Sequence, residues 1–339
     1  MPAGPAMTRA LRLGLIGVSS IARRRTVPAI RTVGSLAITA CAARDLERAK
    51  EFAGKLDADA MTYDEILASP DIDAVYVSLP NGLHHEWARR ALLAGKHVFC
   101  EKPLTTKAAH TDELIALAAE RGLTLHENFM FVHHPQHARV RELVDGGRLG
   151  ELRGFAASFG IPPLPPEDVR YRADLGGGAL VDVGVYPLRS ARLLLGDGLT
   201  VAGATLTIDT GRGVDVGGHV LLVSRSGVSA SLEFGFRHSY RSRYRLWGSS
   251  AALSLDRAFT PPATRQPVLR IEEQDHVEEI SLPPADQFAI AASRFADAAL
   301  GTGDPALTAE LNASTADTAH LVEAVLSKAI RIDESGGRL

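Results

Sequence analysis

The sequence predicts an α/β protein of two units. The first is a doubly wound parallel sheet, the second an α+β domain with a large, mostly antiparallel open sheet. Near-continuous apolar runs of strand length (LRLGLIGV, LAITACAA, DAVYVSLP, HVFCEK, LTLHENF) recur through the first 150 residues. Such runs suit parallel strands buried on both faces. Helical patterns separate them at 20–33, 45–54, 83–94 and 107–121, and strand–helix alternation marks a βαβ winding. The texture changes near residues 146–150, after which runs of alternating polarity are punctuated by turn residues.

The second unit reads in order as one strand (152–159), a Pro-rich loop (IPPLPPED) and a Gly-rich helix start (GGGALVDVG). Alternating runs follow at 199–209, 218–224, 229–236 and 244–256, and a last helix is expected from about 305 to 330. The expected divisions are a floppy start (1–10), a first domain (11–148), a second domain (149–330) and a tail (331–339).

Composition excludes several function classes. The chain has 339 residues, 45% apolar and 23% charged, with 37 Lys+Arg against 40 Asp+Glu. A net charge of −3 leaves no basic excess for a nucleic-acid backbone. No uninterrupted apolar stretch approaches a membrane span, and MPAGPAMTRA lacks the apolar run of a signal peptide. Cys41 and Cys100 stand alone inside strand-like runs, as small hydrophobes do, so a cytoplasmic, disulfide-free protein is expected. Arg outnumbers Lys 31 to 6, which draws attention to a lysine in a special place.

The first strand ends in Gly17-Val18-Ser19-Ser20-Ile21-Ala22 and runs into a helix. A Rossmann dinucleotide fold keeps GxGxxG/A there, for a tight turn, close approach to the pyrophosphate and helix packing. Gly17 and Ala22 fit the outer positions, and Ser19 replaces the middle glycine. The serines can bond phosphate as well as cap the helix. The second strand ends Ala43-Arg44-Asp45. An NAD site would carry an acidic residue at that strand end, whereas Arg44 suits a 2′-phosphate, and Asp45 reads as a helix N-cap. NADP is the expected cofactor. Arg23, Arg24 and Arg25 add positive potential, or simply form a solvated helix face.

HVFCEKP leaves Glu101-Lys102-Pro103 at the carboxyl end of its strand, the edge where ligands sit. A partly buried lysine there can donate a proton or hydrogen bond to a substrate oxygen, with Glu101 opposing any fall in its pKa. A surface lysine capping a loop is the plain alternative.

The chain resembles the glucose–fructose oxidoreductase/inositol dehydrogenase/MocA-type oxidoreductases over about residues 11–330. The resemblance rests on GLIGVSSIA, SLPNGLHHEWARRALLAGKHVFCEKPL, HENFMFVHHP and GGGALVDVGVYPL, in that order. GGGALVDVGVYPLR with LDRAFTPP is similar, more narrowly, to the NDP-hexose (dTDP-sugar) 3-ketoreductases of deoxysugar biosynthesis. Ser19 departs from the family's usual second glycine. The resemblance implies that Lys102 is the catalytic lysine and that Tyr186 takes the place of a catalytic His or Tyr. It places Tyr63, Leu79, Asn81, His84 and Glu101 along the cofactor, with Asp182 and Arg170 reaching it from the second domain.

Tyr186 lies four residues after Asp182, which puts both on one helix face. A neighbouring ammonium would lower its phenol pKa and make it a better donor. Either Lys102 or Tyr186 can protonate the oxygen. Arg25, Tyr240 (in FRHSY) and Thr260 (in AFTPP) are the candidates for the sugar nucleotide. His133 and His137 have zinc-like spacing, but Pro135 interrupts them and no carboxylate or cysteine stands at fixed spacing, so no metal is expected.

The implied activity is NADPH-dependent reduction of a dTDP-linked 3,4-diketo-2,6-dideoxyhexose at C3, in antibiotic-sugar biosynthesis, by a homodimer or homotetramer. Two alternatives stand beside it: an NAD(P)-dependent dehydrogenase of a free sugar or cyclitol, and a non-catalytic NADP-binding redox sensor. Arg44 argues against NAD, and Lys102 with Tyr186 argues against a sensor.

Overall fold

The computed structural model describes residues 9–339, so the expected floppy start lies outside the described residues except for Arg9 and Ala10. Six parallel strands form the first sheet: β1 (Leu11–Ile16), β2 (Leu36–Ala42), β3 (Asp59–Ala60), β4 (Ala74–Val77), β5 (His97–Glu101) and β6 (Leu125–Asn128). Their spatial order is β3-β2-β1-β4-β5-β6, with every pairing parallel. The order reverses between β1 and β4, which opens a crevice beyond their carboxyl ends. β3 has only two residues, too short to leave an apolar run in the sequence.

Nine strands form the second sheet: β7 (Leu152–Gly160), β8 (Thr200–Asp209), β9 (Val214–Val223), β10 (Ser229–Gly235), β11 (Arg241–Gly248), β12 (Ala252–Asp256), β13 (Val268–Glu272), β14 (Val277–Ser281) and β15 (Ala329–Asp333). The order is β14-β13-β12-β11-β7-β10-β9-β8-β15, antiparallel except at β7–β10 and β8–β15. β11 shows the half-buried pattern plainly: Ser242, Tyr244 and Leu246 point inward, while Arg241, Arg243, Arg245 and Trp247 face out. The expected strand 244–256 is two strands, joined by a turn at Ser249-Ser250.

Two expected divisions need correction. The stretch taken as a tail supplies β15, which pairs with β8, and the chain then folds back so that Leu339 N–H reaches Arg331 O. The boundary at 148/149 also fails for the helix Gln287–Ala299. Its Phe295 ring stacks on Phe99 of β5 at 5.1 Å and meets His126 of β6 edge-on, so this late helix covers the first sheet. The long helix Pro305–Lys328 ends two residues before its expected limit.

Candidate functional site

Gly17 begins the loop after β1 with φ +100°, a conformation that favours glycine, and a Cβ there would stand 2.9 Å from Ser78 O and 2.9 Å from Leu79 Cδ2. The loop therefore leans directly on the end of β4. Ser19 Oγ accepts the Ala22 N–H at 3.1 Å, so the residue that departs from the glycine pattern caps the turn that follows. That turn, Ala22–Thr26, is wound one residue wide of an α-helix, with Val27 N–H reaching Ala22 O. Val18 is buried, whereas Ser20, Ile21, Arg23, Arg24 and Arg25 are exposed.

At the end of β2, Ala43 is half-buried and Arg44 is exposed, while Asp45 accepts the Glu47 N–H at 3.0 Å as an N-cap. Tyr63 lies beside the Arg44 backbone with its ring edge-on to Trp87 at 4.7 Å. The glycine loop opens into a turn of the kind that holds a pyrophosphate, and a cation rather than a carboxylate follows β2. These residues fit NADP.

Lys102 follows β5, and its Nζ donates to Asp182 O at 2.8 Å and to Asp182 Oδ1 at 2.7 Å. Arg170 Nε donates to the other oxygen, Oδ2, at 2.6 Å, and Arg170 also pairs with Asp168. Burial alone would raise the Asp182 pKa, but Lys102 and Arg170 outweigh it and hold the carboxyl well below the usual range. Asp182 raises Arg170 in turn. One carboxylate thus ties together two cations, from the first domain and from the loop after β7.

Tyr186 is 4% exposed and boxed by Phe129, Phe131, Phe159 and Phe259, with ring centroids 4.9–5.7 Å away. Lys102 Nζ sits 5.3 Å above its ring, and its hydroxyl has only Met130 Sδ, at 3.9 Å. This corrects the expectation of a phenol made more acidic by an ammonium. Burial pushes the Tyr186 pKa well up, and the Asp182 and Glu101 carboxylates push it further. The segment Leu180–Gly184 is also a wide turn, Val185 N–H bonding Leu180 O, before the α-helix Val185–Leu195. Asp182 and Tyr186 therefore do not sit on one regular helix face, although both flank Lys102.

Asn81 Nδ2 donates to Gly176 O at 3.1 Å, joining the loop after β4 to the second domain. The buried His84 ring spans two carbonyl oxygens, Pro103 O and Leu79 O, each at 2.8 Å, and so ties the lysine loop to the β4 loop. Glu101 is 7% exposed; its Oε1 accepts from Tyr76, Asn128 and Thr26, which fixes the end of β5 from inside rather than lining the crevice. Tyr240 OH and Thr260 Oγ1 are 2.7 Å apart, so two of the substrate candidates meet. Arg25 stands apart from them, next to Thr26.

Several residues escaped the sequence reading. Asp215 of β9 accepts the Leu180 N–H at 2.6 Å, and a Cβ on Gly178 would come within 2.4 Å of its Oδ1. The GGG stretch is therefore small partly to admit this carboxylate at the start of the Asp182 turn. Glu127 Oε1 accepts the Leu104 N–H at 2.9 Å, while its Oε2 takes Arg189 and Thr315, behind the lysine loop. Cys41 and Cys100 are buried and unpaired. Among the described residues, no three His, Cys, Asp or Glu side chains converge as a metal site, and no helix is long and apolar enough to cross a membrane.

Comparison with known proteins agrees with this geometry. Residues 11–129 match the profile of the oxidoreductase family with an NAD-binding Rossmann fold, and residues 137–254 match the GFO/IDH/MocA C-terminal domain. The chain is 49% identical over 322 residues to the dTDP-3,4-didehydro-2,6-dideoxy-alpha-D-glucose 3-reductase of Actinomadura kijaniata, covering 95% of this chain and 96% of that protein. It is 50% identical over 325 residues to the reductase of the same name from Streptomyces violaceoruber, covering 95% of each. The crystal structure of KijD10, a 3-ketoreductase from Actinomadura kijaniata in complex with NADP and TDP-benzene, superimposes with a TM-score of 0.93 at 48% identity, over 96% of this chain and 99% of that one. The chain belongs to the GFO/IDH/MocA oxidoreductase family.

Proposed function

We propose that the chain is an NADPH-dependent C3-ketoreductase of a dTDP-linked 3,4-diketo-2,6-dideoxyhexose: its relatives' names describe the sugar and the 3-reduction, and the KijD10 complex holds NADP. The observation that carries this reading is the Lys102–Asp182 pair beyond the carboxyl end of β5, the strand next to β4. An ammonium has three N–H donors, and Lys102 spends two on Asp182, leaving one for a carbonyl oxygen.

Bound NADPH supplies the hydride that reaches C3. The chain's part is to hold the carbonyl and supply the proton. Gly17, Val18, Ser19, Ser20 and Ile21 cradle the pyrophosphate, and Ala43 and Arg44 take the 2′-phosphate end. Leu79, which touches the Gly17 loop, joins Asn81, His84 and Tyr63 in shaping the crevice beside the nicotinamide half, while Glu101 holds the end of β5 from beneath and so positions Lys102. Arg170 and Asp182 close it from the second domain.

In this reading Lys102 gives its proton to the alkoxide forming at C3, because Asp182 fixes its ammonium in place. Tyr186, kept neutral by burial, donates a hydrogen bond to the same oxygen. Preset donors of this kind stabilise developing negative charge without reorganisation. Tyr240 and Thr260 contact the nucleotide or sugar, and Arg25 is assigned to the diphosphate.

A cytoplasmic enzyme of antibiotic-sugar biosynthesis fits this substrate. A homodimer or homotetramer is supported by the outward face of the second sheet, where Trp247 is 64% exposed and Leu221 43%. The test is loss of NADPH absorbance with the dTDP-diketo sugar generated in place by its upstream dehydratase. Turnover supports the reading. Absence of turnover, with NAD(P) reduction by free sugars or cyclitols instead, contradicts it.

A further inference from the structure

The HHPQH stretch resembles a metal motif in the sequence and plays no part in the chemistry above. In the structure two of its side chains, Gln136 and His137, converge on one irregular loop, residues 257–262, which follows β12. His137 Nε2 lies 3.0 Å from Ala258 O, and Gln136 Nε2 donates to the same oxygen at 2.9 Å. From another helix, Gln287 Nε2 donates to Phe259 O at 3.1 Å. Tyr244 OH lies 3.0 Å from His137 Nδ1.

These partners fix the tautomer. A carbonyl can only accept, so Nε2 carries the proton and the Tyr244 hydroxyl donates to Nδ1. Burial holds the His137 pKa down to about 3, which keeps the ring neutral. Ser242 completes the grip: its carbonyl accepts the Ala258 N–H at 3.0 Å and its hydroxyl the Phe259 N–H at 3.0 Å. Every backbone polar group of Ala258 and Phe259 is thus bound to a partner outside the loop.

The loop held this way is a displayed one. Arg257 has φ +55°, a left-handed conformation uncommon for a residue with a long side chain, and its guanidinium lies 4.2 Å over the Tyr240 ring. Thr260 follows and bonds Tyr240. Phe259 turns inward against Tyr186 at 5.7 Å. The pinned pair therefore sets the position of the exposed edge. Gln136 Oε1, Gln287 Oε1 and His134 Nε2 remain buried without partners. Such polar atoms cost folding stability, and an arrangement that keeps them calls for another reason.

We propose that Gln136, His137 and Gln287 are positioning residues that fix the loop 257–262 for binding the nucleoside diphosphate of the substrate. The inference rests on the reading above that Tyr240 and Thr260 face that substrate.

The experiment titrates dTDP calorimetrically into NADP-saturated wild type, Gln287→Leu, Gln136→Leu and His137→Gln, and measures KM and kcat for the sugar nucleotide. Gln136→Leu leaves Ala258 O its bond from His137, so the test survives even if another variant fails to fold. We expect dTDP Kd and sugar-nucleotide KM to rise about tenfold in Gln287→Leu and Gln136→Leu. Kcat and NADPH affinity should change less than about twofold, and His137→Gln, which keeps a donor, should stay near wild type. Folded variants with unchanged dTDP affinity would overturn the inference alone. So would equal losses of dTDP and NADPH binding, the mark of a general structural defect. A wild type that does not bind dTDP overturns the substrate reading and this inference with it.

Discussion

Lys102 Nζ makes both of its hydrogen bonds to a single residue, Asp182, through the backbone oxygen at 2.8 Å and the carboxylate at 2.7 Å. The pairing crosses the boundary between the two sheets and fixes the ammonium from two directions. Arg170 shares the carboxylate, so Asp182 stays ionised in spite of its burial.

Asp182→Asn tests this arrangement. It removes the charge that both cations share and leaves two positive groups facing each other. Turnover should fall by about 10² or more, with NADPH affinity less affected, as steady-state kinetics and cofactor titration will show. The Asp182 pKa is depressed, so its stabilising contribution is complete above the usual carboxylate range and disappears only as pH falls below that range. Its titration should leave no step in the rate profile near neutrality.

Arg44 is exposed at the end of β2, beside Tyr63. Arg44→Ala should raise the KM for NADPH roughly tenfold to a hundredfold and leave that for NADH nearly unchanged, since only NADPH carries a 2′-phosphate. Equal effects on the two cofactors would show that Arg44 does not read that phosphate.

Asp215 introduces a pH dependence of the opposite sign to Asp182. Burial pushes its pKa up to about 6, despite the backbone N–H of Leu180. A native pKa above the unfolded one means that the folded state takes up the proton first, so stability rises as pH falls from about 6 toward 4. Above pH 6 the buried charge costs about 3 kcal/mol. Asp215→Asn should flatten this dependence in thermal melts from pH 4 to 8, and an unchanged slope would show that another group causes it.

Glu127 and Arg189 form a buried pair, 6% and 4% exposed at their side chains, behind Leu104. Glu127→Gln leaves the guanidinium buried without its counter-charge and should destabilise the protein by about 3–5 kcal/mol. Pairing it with Arg189→Met should recover a substantial part of that loss in denaturant titrations.

The sequence carried the first sheet well, because its parallel strands are buried on both faces and read as apolar runs. It also singles out Lys102, which stands at the end of one such run. Contacts that span the chain were not legible. Glu127 meets Arg189 across 62 positions and Gln136 meets Ala258 across 122, and no local pattern signals either. β14 was missed because VEEIS alternates at an exposed edge with few apolar residues. The pattern singles out Tyr186 but points its acidity the wrong way. An ammonium over the ring was foreseen in effect, whereas the aromatic box that outweighs it comes from four separate segments.

The central claim is that Lys102 delivers the proton in NADPH-dependent reduction of the dTDP-linked diketo sugar. The most direct measurement compares NADPH consumption on that sugar by wild type, Lys102→Ala and Tyr186→Phe under saturating cofactor. Wild type should turn over, with a loss of about 10³ in kcat for Lys102→Ala and about tenfold for Tyr186→Phe. A Lys102→Ala enzyme that turns over within a few fold of wild type would contradict it.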